Sequence, residues 1–156
     1  MGKSGFKKGQ ILLETLIAFS IAVVVLIAVM NLATRSVNNS GVSDRTSEAT
    51  SYADQGINWV KSQVVLSWSD FNDSFTSGSH YCLQTLSNWT PSPTPAAGSC
   101  GTGQEISGTQ FFREAVLFKL TDSNLRNYIE ATVTVTWTEG MNTKTVSRYG
   151  VYYNNT

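Results

Sequence analysis

Three patterns of apolar and polar positions follow one another along the chain. From Thr15 to Thr34 run 20 residues without a charge, rich in Leu, Ile, Val and Ala and free of Pro and Gly. Apolar residues on every side predict a helix with no polar face, and at about 1.5 Å per residue it would span roughly 30 Å, the hydrocarbon thickness of a bilayer. A polar stretch from Arg35 to Glu48 comes next. Its Asn38-Asn39-Ser40-Gly41 predicts a break or soft spot, because these residues prefer turns and caps to helix interiors. Helical spacing then returns with Ala49, Ala53, Ile57, Val60 and Val64 on one face and Tyr52, Gly56 and Trp59 beside them. Such a stripe is made to pack on a sheet.

The third pattern has period two. In Tyr128 to Thr138, Ile129, Ala131, Val133, Val135 and Trp137 alternate with Glu130, Thr132, Thr134, Thr136 and Thr138, which predicts a strand with one dry and one wet face. Gln110 to Leu120 alternates less cleanly, with Phe112, Val116, Phe118 and Leu120 as its apolar set. A turn at Glu139-Gly140-Met141-Asn142 leads into Thr143 to Tyr153, giving a hairpin and an antiparallel sheet of three to four strands. Between helix and sheet, Ser67 to Gly108 is a mixture of Ser, Thr, Asn, Gly and Pro with scattered aromatics, including Pro91-Ser92-Pro93-Thr94-Pro95. It reads as a long loop region, and its aromatics suggest contacts with partners. The fold class is therefore α+β.

Charge orients the picture. The chain carries 11 basic and 11 acidic residues, but Lys3, Lys7 and Lys8 all precede Gln10, and beyond Gly9 the balance is 8 against 11, or −3. Basic residues at the N-terminal flank of the apolar segment place that end in the cytoplasm and export the rest. A cleaved secretory signal peptide, with a small-residue site near Ala28 to Ala33, and an uncleaved anchor both fit this orientation. An exported chain whose only cysteines are Cys82 and Cys100 predicts a disulfide that closes a loop around the proline-rich stretch.

Little else in the sequence points to chemistry. The lone His80 lies outside any nucleophile elbow, phosphate loop or paired-histidine motif, so no catalytic residue and no cofactor are assigned. A metal site on His80, Cys82 and Cys100 has too few ligands for a structural zinc centre, and Asp70-Phe71-Asn72-Asp73 lacks the remaining oxygens of a calcium loop. From Arg35 onward 8 basic residues face 10 acidic ones with no basic run, which disfavours nucleic acid as a partner.

The string Lys7-Lys8-Gly9-Gln10-Ile11-Leu12-Leu13-Glu14-Thr15-Leu16-Ile17-Ala18-Phe19 resembles the N-terminal signal of type IV prepilins and type II secretion pseudopilins. In that family a short basic leader ends in Gly, cleavage follows it, and a Glu stands fifth in the mature chain; counted from Gln10, Glu14 is fifth. The resemblance implies that a prepilin peptidase cuts between Gly9 and Gln10 and typically methylates the new amino terminus at Gln10. It also implies that Glu14, in a low-dielectric bilayer or filament core, pairs with a neighbour's α-amino group and sets the register of an incoming subunit. Gln10 stands where Phe is usual, and Asn31 stands where major pilins often carry Pro, which leans toward a minor pilin or pseudopilin. The segment Tyr52 to Val60 and the hairpin opened by Val133-Thr134-Val135-Thr136-Trp137 are similar to the corresponding parts of minor pilins.

The expected organisation is a leader over 1–9, a transmembrane and assembly helix over 10–34, its continuation over 35–66, and a loop-rich β headgroup over 67–156. The partners implied are other pilin subunits through the N-terminal helix, prepilin peptidase, the inner-membrane assembly machinery, and membrane lipid before assembly. The protein would begin as a single-pass membrane protein with a cytoplasmic N-terminus and end in a cell-surface or periplasmic filament. A second reading is a membrane-anchored exported binding domain or hydrolase unrelated to filaments.

Overall fold

A computed structural model describes residues 5–87, 89 and 95–154, without the side chains of residues 5–8, 38, 39 and 96. Lys3, the side chains of Lys7 and Lys8, and Pro91 to Thr94 of the proline-rich stretch thus lie outside the described residues. Helix α1 spans Gly5–Leu66, and a short helix α2 spans Trp68–Ser74. Five strands follow among the described residues: β1 (His80–Cys82), β2 (Ala96–Ala97), β3 (Phe112–Thr121), β4 (Asn127–Glu139) and β5 (Asn142–Tyr153). The chain divides after Asp44 into two compact units.

The unit up to Asp44 consists of the N-terminal part of α1. Asn38 to Gly41 are helical, so the break expected there is absent: in a helix this long, four weak helix formers cost only tenths of a kcal/mol each, about 1 for Gly, and do not stop propagation. Every large apolar side chain from Ile11 to Leu32 is exposed, so this stretch buries nothing against its own chain.

The unit from Arg45 is a helix packed on an antiparallel sheet of order β2-β1-β3-β4-β5. The three long strands form the sheet body, and β1 and β2, of three and two residues, extend one edge. Of the predicted α1 stripe Ala49, Ala53, Val60 and Val64 are buried and Ile57 half-buried, and Trp59 beside them is buried as well, against Ala115, Leu117, Ile129, Ala131, Val133 and Val135. The β4–β5 hairpin turns on Gly140 and Met141, between paired Glu139 and Asn142.

Three expectations for this unit are overturned. The sheet has five strands among the described residues rather than three to four, because the short β1 and β2 add to one edge. In β3 the buried set is Arg113, Ala115 and Leu117, preceded by buried Phe111, whereas Phe118 and Leu120 are exposed and Phe112 and Val116 half-buried. Both faces of this strand carry apolar residues, and its antiparallel register with β4, which opposes Ala115 to Val133 and Leu117 to Ala131, decides which face meets the helix. The region 67–108 is also not simply a surface loop. Ser67 caps α2 by accepting from the Asp70 N–H, and Phe71, Phe75, Tyr81, Leu83 and Trp89 are buried in the core. Its large aromatics are turned inward because three long strands and one helix leave an open end that only bulky side chains can fill.

One close approach ties the helix to the sheet. A Cβ built on Gly56 would lie 2.7 Å from Val133 Cγ1 and 3.0 Å from Arg113 Cδ. Overpacking costs typically 1–3 kcal/mol, against about 1 kcal/mol gained in helix propensity. Gly56→Ala is therefore expected to lower the urea midpoint of the full chain in detergent, with Val133→Ala in the same chain recovering part of the loss. An unchanged midpoint in Gly56→Ala would mean that helix and sheet are free to separate there.

Candidate functional site

The residues singled out at the N-terminus all lie on α1. Gly9, Gln10 and Glu14 are helical, so the Gly9–Gln10 peptide bond sits inside a helix, and Gln10 and Glu14, four apart, share a face one turn from each other. A Cβ on Gly9 would meet nothing within 4 Å. Glu14 is exposed, surrounded in sequence by Ile11, Leu12, Leu13, Leu16 and Ile17, each at least 51% exposed. Among the described residues, its carboxylate has no ion pair.

Three hydroxyls of this stretch are handled as an apolar solvent requires. The hydroxyls of Thr15, Ser20 and Thr34 donate to the carbonyls of Leu12, Leu16 and Met30 at 2.9, 2.8 and 3.0 Å. Each is thereby satisfied within the helix, which removes the cost of an open donor in hydrocarbon. α1 is long and apolar enough to cross a membrane, and its position near the N-terminus is compatible with single-pass anchoring. Among the described residues nothing pairs with the charge of Glu14.

In the other unit the expected disulfide joins Cys82 to Cys100. It closes a loop at a sequence separation of 18 and holds β1 beside the residues that follow β2. Glu114 on β3 reinforces the clasp: its Oε1 accepts from the Cys100 N–H at 2.7 Å, and its Oε2 lies 3.4 Å from His80 Nδ1. With both sulfurs oxidised, His80, Cys82 and Cys100 offer no thiolate set to a metal ion. By the chain-entropy argument the bridge contributes on the order of 3 kcal/mol. Replacing both cysteines by Ser should therefore lower the thermal midpoint by several degrees, and reductant should lower the wild-type midpoint alike; equal midpoints would show the clasp to be redundant.

Asp70, Asp73 and Asp122, outside this clasp, are engaged locally. Asp70 accepts from the Ser67 hydroxyl at 2.8 Å, and Asp73 from the Asn72 amide at 3.2 Å. Asp122, in the β3–β4 turn, accepts the Arg126 and Asn124 backbone N–H groups and pairs with the Arg126 guanidinium. These contacts, the Arg126 backbone bond foremost, hold its carboxyl below the ordinary aspartate range.

One buried charge was not anticipated from the sequence. Arg113 is 3% exposed, and it donates through Nε to the Leu83 carbonyl at 3.1 Å and through Nη1 to that of Tyr52 at 3.3 Å. Burial brings its pKa down to about 10, only partly countered by Tyr52. It links α1, the segment after β1, and β3 through carbonyl acceptors rather than a carboxylate. No signal in the chain marks it, because its acceptors are backbone groups brought together by the fold.

No protein-family model matches the chain, and no curated protein or solved structure matches it either.

Proposed function

We propose that this chain is a minor pilin or pseudopilin, a structural subunit of a type IV pilus-like filament assembled through its apolar N-terminal helix. One observation carries the reading: a carboxylate with no ion pair among the described residues stands five residues after Gly9, at the head of an uncharged segment, 15–34, whose large apolar side chains are all exposed. Lipid can cover those side chains, but its tails cannot neutralise the carboxylate; a neighbouring copy can do both, its helix covering the side chains and its amino terminus, released at Gln10, meeting the carboxylate.

The steps follow from this chemistry. Basic residues before Gly9 keep the leader in the cytoplasm, and prepilin peptidase removes it there. The scissile bond must leave the helix to enter an active site, and Gly9 lowers the cost of unwinding by up to about 1 kcal/mol relative to Ala while offering bare backbone. The mature subunit waits in the lipid and is then drawn into the filament, where its helix exchanges lipid for other pilin helices and Glu14 meets an incoming α-amino group. Contacts of this head-to-tail kind do not close on themselves, so a small subunit can build a long polymer. The α+β unit, with its disulfide and inward-turned aromatics, supports the reading as a stable domain carried outside.

Co-expression with a prepilin peptidase tests the proposal. Wild-type chain should lose its first nine residues, and Gly9→Leu should remain at full mass while still entering the membrane. A wild-type chain that stays intact beside a peptidase active on a known prepilin would overturn it.

A further inference from the structure

The outer face of the sheet carries a feature separate from the N-terminal motif. The register of β3, β4 and β5 places nine outward residues on a three-by-three grid: Leu120, Tyr128 and Tyr153 in one row, Phe118, Glu130 and Val151 in the next, Val116, Thr132 and Tyr149 in the third. Neighbouring strands are about 4.8 Å apart and alternate residues roughly 6.8 Å apart, so the grid covers roughly 10 by 14 Å. Glu130 is at its centre. Around it Phe118, Leu120, Val151, Tyr149 and Tyr153 are exposed by 37% to 59%.

The central carboxylate has no cation among the described residues. Tyr149 stands diagonally across from it, opposite Thr132, and Glu130 is the chief cause that raises the pKa of the Tyr149 hydroxyl. Among the described residues no ion pair reaches it, and the nearest turn's Arg126 is committed to Asp122 at 2.8 Å. That same Arg126 lies 5.0 Å from the centroid of the Tyr153 ring, so one edge of the grid already holds a guanidinium on an aromatic face. A negative charge encircled by aromatic and aliphatic surface is complementary to a positive charge on an apolar stem.

We propose that this grid is a binding site for a basic side chain of a partner polypeptide, a lysine or arginine whose stem lies on Phe118, Leu120 and Val151 and whose charge meets Glu130 beside Tyr149. The inference rests on the sheet alone and stands or falls independently of filament assembly. The attraction is that of a partly exposed ion pair reinforced by cation–π contact, so it discriminates by charge and weakens with salt.

The test uses the full chain in detergent micelles, labelled with 3-fluorotyrosine, and the peptides acetyl-Val-Lys-Val-amide and acetyl-Val-norleucine-Val-amide as probes. The lysine peptide should shift the Tyr149 and Tyr153 fluorine signals saturably and bind about tenfold more tightly than the norleucine peptide. Glu130→Gln should reduce it to the norleucine level. Val151→Lys, which supplies a cation directly across from Glu130, should abolish the preference while leaving the other tyrosine signals in place. Equal binding of the two peptides, no shift at millimolar peptide, or undiminished binding in Glu130→Gln would each overturn the proposal. So would tyrosine shifts that depend on protein concentration and resist the lysine peptide, which would assign the face to a second copy of the chain.

Discussion

Trp89→Ala is expected to cost the globular unit about 3–5 kcal/mol, enough to leave much of it unfolded at growth temperature. The indole is fully buried, and the rings of Trp59, Phe71, Phe75 and Tyr81 surround it at centroid distances of 5.6, 5.1, 6.3 and 5.0 Å. Four elements meet at this residue: α1, α2, β1 and the segment after it. Its backbone N–H adds a bond to Gln63 Oε1 at 2.9 Å, which survives substitution. Truncation would therefore open a cavity among side chains from four places, none of which can close it without dragging its backbone. Trp89→Phe should cost far less, because it keeps an aromatic ring there and removes an indole N–H that finds no acceptor among the described residues. Urea melts of the full chain in micelles, followed by near-ultraviolet circular dichroism, measure both. If Ala and Phe proved equally mild, the aromatic cluster would not be what closes this end of the core.

The second large effect belongs to Glu14→Leu. Removing a carboxylate from the head of an apolar helix improves its partition into lipid, so membrane insertion should be intact or stronger. Assembly should fall to a tenth or less, because the loss of one partner in a low-dielectric ion pair leaves the other charge buried alone at about 3–5 kcal/mol. The opposite directions of the two effects separate the proposal from a plain anchor, in which Glu14→Leu would be neutral for any function outside the membrane. The readout is the ratio of sheared surface filament to membrane-held subunit. Wild-type filament yield from the Leu variant would remove Glu14 from the assembly mechanism.

What could be read from the chain was local in sequence. Strand β4 was legible because its five inward residues and its threonines alternate without exception, and the α1 stripe because Ala49, Ala53, Ile57, Val60 and Val64 keep helical spacing. Gly9, Gln10 and Glu14 were legible as a candidate site for the same reason: the motif spans a dozen consecutive residues. β3 was misread because Phe112, Val116, Phe118 and Leu120 outweigh Arg113, Ala115 and Leu117 on any hydrophobic scale, and the choice between faces is made by pairing with β4. The inward aromatics of 67–108 gave no periodic signal beyond Phe71 and Phe75, one helical turn apart. The grid around Glu130 was invisible, since only the strand register gathers residues separated by as many as 37 positions, Val116 to Tyr153.

The central claim concerns the N-terminus, and the N-terminal sequence and intact mass of protein purified from its native membrane test it most directly. The account predicts a chain that begins at Gln10, with or without one added methyl group. A chain that begins at Met1, or beyond Ala28, would contradict it.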